Sequence, residues 1–363
     1  MKTPILQFGT SRFLQAHVDL FVSEALAKGD ALGPITVVQT SGDPQRARRI
    51  AALADRHGFP VCIRGLEEGR VIDRELRVKS VTRALSTATQ WDDVARVFVE
   101  EAEVIVSNTG DSGYVVSPGD ALSGVPKSFP MKLLKLLALR YRNGGKPLTV
   151  LPCELLSRNG DKLKALIHDL SRRFVPDEGF DAWLSTSVIF ANTLVDRIVS
   201  APLEPAGAIA EPYALWVIEN RTGLTMPCRH PSIHLVEDLT PHEKLKLHIL
   251  NLGHTVLADH WLKEARRIDE TVREMLASAP VRDMLLQLYR EEVIPGFALH
   301  GMEQAAVSYL EQTMARFENP FLDHALKDIA GNHREKIERR IAAFLRWCPG
   351  IVMPRLEQIA AGA

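Results

Sequence analysis

The sequence predicts an α/β chain, an N-terminal parallel sheet wrapped by helices followed by a mostly α-helical C-terminal part. Three observations lead there. Short β-branched runs alternate with helical stretches through the first half, proline-rich connections begin near residue 200, and beyond them apolar residues recur at i, i+3, i+4 spacing. A chain of 363 residues holds two domains more comfortably than one. The expected division is 1–200 and 201–363.

The elements follow in order. Ile5 to Phe8 reads as a first strand, Gly9 to Gln15 as a turn and Ala16 to Lys28 as a helix. Ile35 to Thr40 is a second strand, followed by a helix through Gln45 to His57. Val104 to Ser107 and Leu148 to Leu151 are further strands. In open α/β sheets ligands bind beyond the carboxyl ends of the strands, so the residues after these four carry the interest. Past the prolines (Pro202, Pro205, Pro212, Pro227, Pro231, Pro241), five stretches look helical: Lys244 to Lys263, Ile268 to Ala277, Val281 to Glu291, Gly301 to Arg316 and Phe321 to Trp347.

Composition narrows the partners. Apolar residues make up 46% and charged residues 25%, enough for a packed core. With 44 basic and 45 acidic side chains the formal charge is -1, which leaves no electrostatic footprint for nucleic acid or an anionic membrane. A small molecule is the expected partner. No apolar run approaches the roughly 18 residues of a membrane span, and the N-terminus enters a strand rather than a secretory segment, so a cytoplasmic location is expected. Cys62, Cys153, Cys228 and Cys348 are widely spaced and read as reduced thiols.

Several groups could carry chemistry. Gly9 stands where a strand bends into a helix whose first amides can hold a diphosphate, although Ser11 and Leu14 occupy the second and third glycine positions of a GxGxxG turn. The second strand ends in Gln39 and Thr40, followed by Ser41, Gly42 and Asp43, where a carboxylate would take the ribose hydroxyls of NAD. Arg46, Arg48 and Arg49 can meet the 2′-phosphate of NADP or form a solvated face. NAD is the expected cofactor and NADP stays open.

The sharpest feature is KLHILNLGH, Lys246 to His254, inside an expected helix. At about 100° per residue Asn251 lies about 140° from Lys246 and His254 about 80°. Removing hydride from an alcohol needs a base for the hydroxyl proton, which a lysine can be, and donors for the developing alkoxide, which amide and imidazole can be. Glu154 and Asn159 follow the fourth strand, and Asn192, Asp196 and Arg197 sit in a buried-looking run, where an ion pair or backbone contact suits Asp196 and Arg197. The histidines from His230 to His260 show no HExxH spacing, and no catalytic metal is expected.

Lys246, Asn251 and His254 reproduce a K-x4-N-x2-H signature, and the chain resembles the polyol-specific long-chain dehydrogenases, the mannitol dehydrogenase family. The blocks FGTSRFLQAHVDLF, SNTGDSG, SFPMKLL, LPCELLSRNGDKL, NTLVDRIV, AEPYALWVIE, VEDLTP and RFENPFLDHAL extend the likeness to about residue 340. They are most similar to members that reduce keto-uronates such as tagaturonate. The resemblance implies a Rossmann-like first domain and an NAD(P)-dependent oxidoreductase interconverting a keto-sugar acid and its alcohol without a metal. It implies Lys246 as acid and base, Asn251 and Asn159 as an alkoxide-stabilising pair, and His254 as the group orienting the substrate oxygen. Dinucleotide contacts fall at Phe8, Gly9, Thr10, Ser11, Arg12 and Phe13, at Thr40 and Ser41, and at Ser107, Asn108, Thr109 and Gly110.

Three departures stand out: Ser11 for a usual glycine, Gln15 where arginine is common, and a shorter chain. A carboxylate substrate wants a cation, with Arg197, Lys336 and Arg340 as candidates and Asp196, His324 and Asn332 as further substrate contacts. A plain polyol, a sugar phosphate, a shorter sugar acid, or a nucleotide sensor without catalysis are the alternatives.

Overall fold

The apolar runs of the first half become the buried strands of one parallel sheet. The computed structural model describes residues 2–41, 47–67, 69–110 and 113–362. Its strands are β1 (Ile5–Phe8), β2 (Ile35–Gln39), β3 (Phe59–Glu67), β4 (Arg70–Val78), β5 (Val81–Ser86), β6 (Val104–Ser107), β7 (Leu148–Pro152), β8 (Val188–Phe190), β9 (Thr193–Asp196), β10 (Val199–Pro202), β11 (Ala208–Ala210), β12 (Leu215–Glu219) and β13 (Ile233–Val236). Every residue of β1, β2, β6 and β7 is buried, which is why these strands read as mostly apolar runs, interrupted only by Gln7, Thr36, Gln39, Ser107 and Thr149, rather than as alternating ones.

The main sheet has the order β5-β2-β1-β6-β7-β8 with all neighbours parallel. Chain order runs outward from β1 on one side and then returns to β6 on the other. The reversal puts a topological switch point between β1 and β6, the place where such sheets bind ligands. Register brings the strand ends level: Phe8 lies opposite Val38 and Ser107, Gly9 N–H donates to Val38 O at 3.0 Å, and Asn108 N–H donates to Phe8 O at 3.0 Å. Helices Phe129–Arg142 and Asn159–Phe174 cover the sheet through Leu133, Leu137, Leu163 and Ile167 against Leu6, Ile105 and Val150. Each such side chain contributes about 1.5–3 kcal/mol on burial.

The described chain divides into two compact units. The first is Met1–Ile63, Arg74–Ala210 and Ala214–Leu239; the second is Arg64–Asp73, Glu211–Tyr213 and Thr240–Ala363. The main division therefore falls after Leu239 and not after residue 200. The proline-rich segment is strand, with β11 parallel to β3 and β12 antiparallel to β9, so hydrogen bonding keeps it with the first unit.

The second unit is helical, as its periodicity predicts, with two differences. Phe321 to Trp347 is not one helix: Gly331 and a left-handed Asn332 (φ 53°) break it into Leu326–Ala330 and a helical run from His333. Helical runs also widen into π turns at Lys246–Asn251, Tyr289–Val293 and Glu338–Ala342. Among the described residues no helix is long and apolar enough to cross a membrane.

Candidate active site

In the first unit the tips of β1, β2 and β6 enclose a cavity of about 260 Å³, walled by Gly9, Thr10, Ser11, Gln39, Thr40, Arg49, Asn108, Thr109 and Gly110. Gly9 sits at φ +123°, and a Cβ there would lie 2.5 Å from Asn108 O, so only glycine fits. Ser11 caps the helix Arg12–Gln15, its Oγ accepting from Leu14 N at 3.3 Å, and lies 3.3 Å from Asn108 Oδ1. The serine thus ties the turn after β1 to the tip of β6, a bond glycine cannot make. Gln15, the other departure, donates to Thr10 O at 3.1 Å and accepts from Gly207 N at 2.6 Å.

Glu154, just past β7, fixes the tip of β6 from below. Its two oxygens accept from Ser107 Oγ (3.0 Å), Thr109 N (3.0 Å), Thr109 Oγ1 (3.0 Å) and Tyr114 OH (3.4 Å). Burial raises its pKa against these hydrogen bonds. Ser107 is wholly buried in this network, and the Phe8 ring lies in the core against Phe129 at 5.4 Å, so neither side chain faces the cavity. Arg12 is exposed, Phe13 stacks on His17 at 4.8 Å and Ser41 lies within 3.3 Å of Gln39 Nε2; these three are also off the cavity wall. Arg49 lines the cavity while pairing with Glu204 at 3.1 Å. Arg48 is exposed, and Gly42, Asp43 and Arg46 lie outside the described residues.

Asn159 corrects one expectation. Its Nδ2 donates to Pro152 O (2.9 Å), Glu154 O (3.1 Å) and Thr193 O (3.0 Å), and its Oδ1 accepts from Gly160 N (2.8 Å) and Thr193 N (2.9 Å). Both amide hydrogens are spent on backbone, which leaves no donor for an alkoxide. Asn159 instead clamps β9 to the end of β7, beside Gly160, where a Cβ would meet Ala191 at 2.4 Å. Arg197, buried, donates to Ala16 O at 2.7 Å, the backbone contact its surroundings suggested, and Asp196 is buried at the end of β9.

In the second unit Lys246, Asn251 and His254 lie on one uninterrupted helical run, Thr240 to Lys263. An α-helix would put Asn251 about 140° round from Lys246. The π turn changes this: Leu252 N–H reaches back five residues to Leu247 O, and i→i+5 bonding brings residue 251 round to the same side of the helix as residue 246. His254, three α-helical residues further, is about 60° away. One face therefore carries all three. Among the described residues the Asn251 side-chain amide has no partner, in contrast to Asn159.

The widened turn is held by side chains. Tyr289 OH donates to Ile249 O at 2.7 Å, Arg340 Nη1 donates to Asn251 O at 3.3 Å, and His248 Nδ1 lies 3.0 Å from Arg340 O. Tyr289 opens one of the other π turns and Arg340 belongs to the third, so the three are cross-linked. Gly253 makes room: a Cβ there would stand 2.0 Å from Tyr289 OH. The sequence reading missed Tyr289, whose only signal is a buried phenol in need of an acceptor.

His254 is buried between Phe317 (4.5 Å) and His324 (4.8 Å), and neither His254 Nε2 nor His324 Nδ1 has a hydrogen-bond partner among the described residues. Burial, then the fields of His324, Arg340, Arg316 and Lys336, hold the His254 pKa well below 6.5. The imidazole is neutral and directional. Lys336 and Arg340 thus come together with His254 and His324, while Asn332 is exposed at a helix start. His230 pairs with Glu24 at 2.7 Å, and among the described residues no group of three or more His, Cys, Asp or Glu could hold a metal ion.

Sheet order, switch point and cavity define a dinucleotide-binding fold joined to a helical unit. The model of the mannitol dehydrogenase Rossmann domain matches residues 3–227, and that of the mannitol dehydrogenase C-terminal domain matches 238–362. The chain belongs to the mannitol dehydrogenase family. It is 29% identical to the altronate oxidoreductase of Bacillus subtilis (strain 168), over 93% of this chain and 73% of that protein. It is 30% identical to the altronate oxidoreductase of Klebsiella pneumoniae, over 97% and 77%. Among solved structures, substrate-free D-sorbitol dehydrogenase superposes with a TM-score of 0.78 at 19% identity, over 95% of this chain and 76% of that one. The ternary complex of Pseudomonas fluorescens mannitol 2-dehydrogenase with NAD and D-mannitol gives 0.74 at 18%, over 99% and 84%. These two likenesses show the fold.

Proposed function

We infer that this chain is an NAD-dependent oxidoreductase interconverting a keto-sugar acid and its alcohol, of the tagaturonate and altronate type. The observation that carries it is the π turn, which sets Asn251 on the same side of the helical run as Lys246, together with an Asn251 amide that has no partner among the described residues. The altronate oxidoreductases among its relatives support the acid as substrate.

The cavity at the strand tips fits the diphosphate of a dinucleotide, because Gly9 offers bare backbone where a side chain would fill the cradle. NAD, when bound, supplies or accepts the hydride. The protein's own groups handle the proton. In reduction the Lys246 ammonium gives a proton to the oxygen of the forming alcohol, and in oxidation Nζ takes it back. Asn251 Nδ2 donates to that oxygen as its charge develops. His254 Nε2, neutral and without a protein partner, fixes the oxygen's orientation.

Turnover of NADH with a keto-uronate tests the reading. Lys246→Ala is expected to lose on the order of 10²–10⁴-fold in kcat, the usual worth of a positioned acid, while nucleotide binding measured by fluorescence titration is retained. Unchanged turnover in the variant would remove Lys246 from the chemistry.

A further inference from the structure

Resting on the reading above, we propose that Arg340, with Lys336 beside it, receives the carboxylate of the sugar acid and so makes the enzyme select acids over neutral polyols. Three observations carry this. First, the two cations have no acid partner: among the described residues neither joins an ion pair, and the nearby Arg316 is already matched by buried Glu211 at 2.9 Å. A half-buried positive pair without a counter-charge is a site that an anion completes. Burial is the first cause of the lowered pKa of each, and for Lys336 the second is Arg340 itself.

Second, the hydrogen-bonding capacity is only part used. Arg340 spends Nη1 on Asn251 O (3.3 Å) and Thr255 Oγ1 (3.1 Å), while Nε and Nη2 have no partner among the described residues. That remaining edge is the fork that matches a carboxylate bidentately. Lys336 gives one N–H to Ile329 O at 2.7 Å and keeps two. Arg197, the third candidate cation, is instead tied to Ala16 O at 2.7 Å in the first unit.

Third, the site adjoins the reacting groups. Arg340 holds the carbonyl of Asn251, and the fields of Arg340 and Lys336 both reach His254, whose Nε2 is buried without a partner, as is His324 Nδ1. Two neutral imidazole nitrogens beside two cations form a surface for hydroxyls next to a carboxylate. A tetrahedral phosphate would use the same cations, so a sugar phosphate is the competing ligand.

The test compares kcat/KM for a matched aldonate, alditol and alditol phosphate in wild type, Arg340→Gln and Lys336→Gln. Wild type is expected to prefer the aldonate, and Arg340→Gln to lower the aldonate-to-alditol ratio about 10- to 100-fold, mainly through KM, the worth of one charge-assisted bond. Lys336→Gln should lower it less, and it carries the test if Arg340→Gln does not fold. A purely structural role through Asn251 would depress both substrates alike, and that result overturns the proposal. Wild-type preference for the alditol or its phosphate overturns it too. Should wild type turn over none of the three, the dehydrogenase reading fails, and thermal shift then decides the anion site separately. Stabilisation by aldonate and not alditol, lost in Arg340→Gln, sustains it; equal or absent shifts sink it.

Discussion

Gly9 and Gly253 each leave room that a side chain would fill, yet they protect different kinds of structure. At Gly9 the obstacle is a backbone carbonyl, Asn108 O, 2.5 Å from any Cβ, and the residue sits at φ +123°. At Gly253 the obstacle is the far end of a side chain, Tyr289 OH, at 2.0 Å, on an ordinary helix. The first unit therefore builds its site from sheet backbone that has nowhere to move. The second builds its site from an irregular turn that side chains prop open. Rigidity comes from the ladder, backed by the Glu154 network, in one and from single side-chain hydrogen bonds in the other.

Gly9→Ala should separate the two most sharply. The residue would be strained by about 1–3 kcal/mol and would also displace the tip of β6, for a total on the order of 3 kcal/mol or more. Because the displaced tip of β6 is also a wall of the cavity, NADH binding is expected to fall separately by about 100-fold, read by fluorescence titration, while the strain shows in a thermal melt. Retained binding would mean that the cavity at the strand tips is not the nucleotide site.

The same contrast explains what the sequence makes legible. β1, β2, β6 and β7 are buried on both faces, so their apolar runs announce themselves, and parallel order then places the tips. The inserted hairpin of β3 and β4 was not foreseen, because the charged run RVIDRELRV of β4 is largely exposed and lacks a core face. In the second unit the residue types Lys246, Asn251 and His254 are legible, but their geometry is not. Regular α periodicity sets Asn251 far from Lys246, and only the i→i+5 turn, propped by Tyr289 and Arg340 from distant helices, brings them together. Asn159 shows the converse: its place after β7 suggested catalysis, and its five backbone contacts show a clamp.

Gly253→Ala tests the propped turn. Alanine gains up to about 1 kcal/mol of helix propensity over glycine. Against that, displacing Tyr289 OH breaks its bond to Ile249 O and leaves a buried phenol without its acceptor, at about 1–3 kcal/mol. The expected outcome is a modest loss of melting temperature with about a 10-fold fall in kcat, as Asn251 drifts from Lys246, and nucleotide affinity little changed. Tyr289→Phe removes the colliding hydroxyl, so Gly253→Ala should cost less in that background, with a coupling of about 1 kcal/mol in a double-mutant cycle. Strict additivity would show that the two residues do not share one device.

Ser11 is one of the side chains that add to the first unit's backbone, as Glu154 does at the tip of β6, and its effect is expected to be the smallest. Its Oγ caps the single turn Arg12–Gln15 and lies 3.3 Å from Asn108 Oδ1. Ser11→Ala loses the cap, at about 1 kcal/mol, whereas Ser11→Gly costs only a few tenths at such a position. Urea melts of the two variants should therefore rank alanine below glycine. NADH affinity should fall by less than about 10-fold in both, since the cradle at Gly9 remains. A loss in Ser11→Gly as large as in Gly9→Ala would overturn the ranking, because it would make the serine hydroxyl, and not the bare backbone beside it, the group that holds the nucleotide.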